Sequence, residues 1–109
     1  MPNGNDRNWV RLRAALEGFF VKHGHWPSRV RLHPGTLEDL KSHLFTAASW
    51  TRLTEKLEFL ADEDAPIVAE DAAGSSYSYG REGFPDRRPP RSAEDWLGVA
   101  PDTPRAYDS

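Results

Sequence analysis

The sequence predicts an α+β protein: two to three helices packed on one face of a small, mainly antiparallel sheet of three to four strands, followed by a Pro/Arg-rich C-terminal tail. Three observations carry this. Apolar residues recur at helical spacing through 7–23, short alternating stretches recur further on, and the chain changes character near residue 80. Residues 1–80 read as a compact α+β domain. Residues 81–109 hold five of the nine prolines and read as a largely irregular, disordered tail with a short helical turn near 92–98.

The first helix covers about residues 7–23, with Asp6 or Asn5 as its cap. Trp9, Leu12, Leu16, Phe19 and Phe20 fall on one face, and Gly24 fits a left-handed stop. After the connector His25-Trp26-Pro27-Ser28, the run Arg29–His33 alternates, with Val30 and Leu32 inward and Arg29, Arg31 and His33 outward. Pro34-Gly35 ends that strand. Thr36 and Asp39 form a near capping box before a short helix marked by Leu37, Leu40 and Leu44.

Thr46 can cap a further helix whose inner face carries Trp50, Leu53 and Leu57. From Leu57 either that helix continues to Leu60 or a strand begins. The strand is favoured, because a following hairpin needs a partner. Residues 66–71 and 75–79 are the arms of that hairpin about Ala72-Ala73-Gly74, which puts Tyr77 and Tyr79 on one face. In the tail, Ser92 and Gly98 bracket one helical turn carrying Trp96, Leu97 and then Val99.

Composition narrows the function classes. The chain has no cysteine, which removes disulfide frameworks and thiolate metal sites. No apolar run approaches the roughly 18–20 residues that span a bilayer, and residues 1–6 lack the features of a secretory signal. A cytoplasmic location is the simplest reading. Eleven arginines against three lysines, with abundant Ala, Gly and Pro, point to a GC-rich bacterial genome. The net charge of −3 is segregated: residues 1–60 carry +3, residues 61–80 carry −5 and the tail −1. Such halves can neutralise one another, so no external polyanion is demanded.

Candidate chemistry is sparse. His23, His25, His33 and His43 are the obvious metal ligands, but no pair shares a helix face at ligand spacing. The acids at 62–64 and 70–71 lack the spacing of a calcium loop and read as a solvated turn or as an acidic surface matched to a basic partner. The serines at 75, 76 and 78 have no nucleophile-elbow context, and Gly74 and Gly80 make no phosphate loop. No catalytic residue, metal or cofactor is therefore assigned.

Two binding surfaces remain. Trp26, Tyr77, Tyr79, Trp96, Leu97 and Val99 are candidate contacts for another protein, with the 92–99 segment docking either on its own domain or on the partner. Arg11, Arg13, Arg29 and Arg31, with tail arginines as a flexible arm, are the alternative: a face for nucleic acid, disfavoured by the interleaved acids. An exposed sheet edge could also pair with a second copy.

Leu16 through Pro27, ending in Lys22-His23-Gly24-His25-Trp26-Pro27, resembles the helix-then-hGxxP element of helicase-associated and homing-endonuclease-associated DNA-binding repeats. It covers about a dozen residues. Strand-like alternation follows where those repeats place a third helix, so no functional residue is carried over. The reading that results is a small bacterial protein acting as a non-enzymatic, protein-binding accessory, regulatory or immunity-type factor, with a nucleic-acid-associated regulator as the alternative.

Overall fold

A long amphipathic helix organises the molecule, seen here in a computed structural model that describes residues 4–64 and 66–99. This helix, α1 (Gly4–His23), buries Trp9, Leu12, Ala15, Leu16 and Phe19 in the core. It ends where Gly24, at φ +82°, returns its N–H to the Phe20 carbonyl at 2.8 Å. The expected cap is misplaced: Asn5 and Asp6 both lie inside α1. Polar and acidic side chains suit the first turn of a helix as well as its cap, so their sequence signal marks the start only loosely.

Strand β1 (Arg29–Leu32) follows the predicted alternation, with Val30 and Leu32 fully buried and Arg29 and Arg31 half-buried on the other face. Helix α2 (Pro34–Asp39) starts earlier than the Thr36 box implied. His33 caps it, its Nδ1 accepting from the Gly35 N–H at 2.9 Å, and Pro34 takes the first helical position, where its missing N–H costs nothing. One π-helical turn, Leu40–Leu44, prolongs α2 and buries both leucines. Helix α3 (Ala47–Thr54) is capped as expected, Thr46 Oγ1 accepting from the Ser49 N–H at 3.1 Å.

The ambiguous stretch resolves as a strand, β2 (Glu58–Ala61). With β3 (Val68–Glu70) and β4 (Ser76–Ser78) it completes a four-stranded sheet of order β2–β1–β3–β4. Two pairings are antiparallel. The third, β1 with β2, is parallel and places Arg29 opposite Glu58 and Val30 opposite Phe59. A parallel return needs a long crossover, and α2 and α3 supply it. Helices cover one face, where Val30, Leu32, Ala69 and Tyr77 meet α1 residues in the core. The fold class is α+β, with a mixed but mostly antiparallel sheet.

The predicted strand 75–79 is cut short. Tyr79 opens a single turn, α4 (Tyr79–Glu82), whose Glu82 carboxylate accepts from the Ser78 N–H at 3.0 Å. The last described helix, α5 (Ala93–Leu97), has the caps read from the sequence: Ser92 Oγ accepts from the Asp95 N–H at 3.1 Å, and Gly98 adopts φ +76°. Ala93 and Leu97 are buried in the same core as α1, so folded structure continues past residue 80. The part of the tail beyond residue 99 lies outside the described residues. Among the described residues no helix is long and apolar enough to cross a membrane.

Candidate partner-binding surfaces

A five-residue helix has almost no stability of its own, so α5 depends on what holds it. Trp96 lies flat on Trp26, ring centroids 4.7 Å apart and planes within 6°, and Trp26 packs on Phe20 at 4.8 Å. The Glu17 carboxylate accepts from the Ala93 N–H at 2.9 Å. Glu94 accepts from the Trp9 indole and from Arg13, each at 3.3 Å. At the other end Lys56 donates to the Trp96 carbonyl and Arg52 to the Gly98 carbonyl. A carboxylate thus faces the free N–H end of the helix and cations face its free carbonyls, the arrangement its dipole favours. All six residues proposed as partner contacts pack within this one chain, Tyr77 and Leu97 in the core and Trp26, Tyr79, Trp96 and Val99 against it.

The two tyrosines do not form a shared patch. Tyr77 points into the core and is only 6% exposed, its hydroxyl donating to the Gly83 carbonyl at 2.8 Å. Burial, with the Glu82 and Asp86 charges nearby, pushes that hydroxyl above its ordinary pKa. Tyr79, displaced into α4, is half-buried and meets Phe84 edge-on at 5.4 Å. Alternation holds only as far as Ser78, and it turns Tyr77 inward.

The four arginines are likewise divided. Arg29 and Arg31 lie on the sheet face away from the helices, paired with Glu70 at 3.0 and 2.8 Å; Arg31 also reaches Asp62 at 3.4 Å. Arg13 is paired with Glu94, on α1, across the sheet from them. Arg11 is exposed on that same helix. These side chains do not make one continuous basic surface. The strand β1 also stands where the resembling repeats have a third helix.

Each histidine has a local partner: His23 the Ser76 carbonyl at 2.9 Å, His25 Asp71 at 2.6 Å, His33 the Gly35 N–H, and His43 Asp39 at 3.2 Å. Among the described residues no group of three or more His, Cys, Asp or Glu is placed to hold a metal ion. Asp71 organises the hairpin turn, its Oδ1 accepting from the Ala73 and Ser75 N–H groups at 3.0 and 2.9 Å. The hydrogen bond from His25 holds the Asp71 carboxyl below its usual pKa, aided by those two amides and opposed by partial burial.

The two sheet edges differ. On β4, residues 75, 77 and 79 face β3, leaving Ser76 and Ser78 to face outward. His23 occupies the Ser76 carbonyl and Glu82 the Ser78 N–H. On β2, Glu58 and Asp62 donate to the Ser28 and Leu32 carbonyls of the β1 segment, which turns the backbone of Phe59 and Ala61 outward. Among the described residues no hydrogen bond reaches the N–H or C=O of either. Beside this edge runs an open groove lined by Leu37, Trp50, Leu57 and Phe59, with the Trp50 and Phe59 rings stacked at 5.0 Å.

This edge is absent from the residues singled out by sequence reasoning. Alternation identifies a strand, whereas pairing partners are set by contacts distant in sequence. One signal was available: acids at 55, 58, 63 and 64 bracket an apolar strand, and flanking charge is how exposed edges are kept from aggregating. No protein-family model matches the chain, and neither a curated protein nor a solved structure matches it.

Proposed function

We propose that the protein is a non-enzymatic accessory or regulatory factor that binds an extended segment of another protein along β2. The open backbone of Phe59 and Ala61, beside an apolar groove, is the observation that carries this reading. Exposed strand edges add strands readily, and peptide recognition by strand addition takes affinity from main-chain hydrogen bonds and specificity from adjoining side-chain pockets. Contrast with β4 strengthens it: one edge is closed by side chains and the other is left available. The Trp26–Trp96 stack, already satisfied internally, serves to close the fold. A cytoplasmic bacterial setting suits the composition.

Ala61→Pro tests the reading. Proline removes one outward N–H and leaves the β1 ladder intact, since the bonds to β1 are made by the even-numbered residues. Capture of the native partner from host extract should be lost with Ala61→Pro and kept with Trp96→Ala. The opposite pattern would return the binding role to the indole.

A further inference from the structure

From the charges around β2 we infer that the segment it binds is basic, alternates basic with apolar residues, and joins the sheet as a fifth strand. This rests on the reading of β2 as the binding edge. Side chains of an added strand alternate between the two faces of the sheet. Those on the helical face enter the groove beside Phe59, where Leu37 and Trp50 offer apolar surface above the buried Leu57. Lys41 and Glu58 both line this groove and offset one another, so apolar side chains suit it best. Those on the opposite face lie alongside Glu58 and Leu60, and Arg29, the cross-strand neighbour of Glu58, is engaged by Glu70. Glu55 precedes the strand, and Glu63 and Asp64 follow it.

None of Glu55, Glu58 and Glu63 makes an ion pair among the described residues, whereas Asp62 is matched by Arg31 and Asp64 shares a pocket with Arg31 and Arg81 on the far side of the sheet. Lys56, the nearest cation in sequence, is held by the Trp96 carbonyl on α5. The edge therefore presents unmatched negative charge on its outer side and at its ends, and apolar surface on its inner side. Two other occupants fit worse. A second copy would set one acidic edge against another, and directly opposed like charges destabilise a strand pair. Residues 100–109 carry two prolines and a net charge of −1, so they supply neither a ladder nor complementary charge.

The test uses the full-length chain, labelled for amide NMR, and three short synthetic peptides: alternating lysine and valine, alternating glutamate and valine, and alternating lysine and proline. The lysine–valine peptide should shift and protect the Phe59 and Ala61 amides, and bind at least about tenfold more tightly than the glutamate–valine peptide, as several exposed charge contacts of changed sign would give. Its affinity should fall with added salt. The lysine–proline peptide should not bind. Replacing Glu58→Lys and Glu63→Lys together should invert the charge preference, and Ala61→Pro should abolish both interactions.

Equal or tighter binding of the glutamate–valine peptide at Phe59 and Ala61 would overturn the basic partner and leave β2 as a binding edge. Failure of every peptide to perturb those amides would overturn both. A concentration-dependent dimer broken by Ala61→Pro would assign the edge to a second copy. Release of the edge only on removal of residues 100–109 would assign it to the chain's own tail.

Discussion

Substituting Gly18 by alanine reverses the sign that helix propensity alone predicts. In an ordinary helix interior the exchange stabilises by about 1 kcal/mol. At position 18 a Cβ would lie 2.3 Å from two atoms of the Tyr77 ring and 2.8 Å from a third. Non-bonded carbons settle at roughly 3.5–4.0 Å, so the ring must move. It has little freedom to do so, being 6% exposed and tied through its hydroxyl to the Gly83 carbonyl at 2.8 Å. Overpacking costs about 1–3 kcal/mol, and loss of the tyrosine hydrogen bond about 1 kcal/mol more. Set against the helical gain, the net is a destabilisation of about 1–3 kcal/mol, or a fall of roughly 5–20 °C in Tm for a domain of this size. Thermal and urea unfolding followed by circular dichroism measures it. In a Tyr77→Ala background the obstacle is gone, and Gly18→Ala should become stabilising. A higher Tm for Gly18→Ala in the natural background, or simple additivity of the two changes, would refute the reasoning.

Trp96→Ala removes the indole stacked on Trp26; because Trp96 is only half-buried, the cost should be near the lower end of aromatic truncations, about 2–3 kcal/mol by urea unfolding. A variant of unchanged stability would show that α5 contributes nothing to the fold. Glu17→Ala removes the acceptor for the Ala93 N–H and should cost about 1 kcal/mol, read most directly as faster hydrogen exchange in α5 with β1 and β3 unchanged. Asp71 sets an acid limb: its folded pKa lies below the unfolded value, so its contribution is complete above the ordinary aspartate range and fades as pH drops through the folded value. Urea midpoints recorded from neutral pH down to about pH 2 should fall less steeply for Asp71→Asn than for the natural chain.

Local signals were the legible part of this fold. The Trp9–Phe19 face, the Gly24 stop, the Thr46 and Ser92 caps and the Val30/Leu32 alternation each depend on a few neighbouring residues, and all appear in the structure. Misreadings arose where two local signals compete, as when His33 with Pro34 displaced the Thr36 box, or where Tyr79 continued an alternation that Glu82 had already ended. What could not be read was long-range. Nothing near Trp96 announces Trp26, nothing near Gly18 announces the Tyr77 ring, and the parallel partnership of β1 with β2 depends on how two helices turn between them. The candidate edge belongs to this last class.

The seat of α5 has a consequence for how the chain is made. Glu94 bonds Trp9 across a separation of 85 positions, so the last described helix closes against the first. During translation every other described element emerges while Trp26 and Phe20 still lack their lid. The nascent chain consequently shows a greasy aromatic shelf to the crowded cell until residues 93–97 clear the ribosome, a window in which chaperones have something to hold.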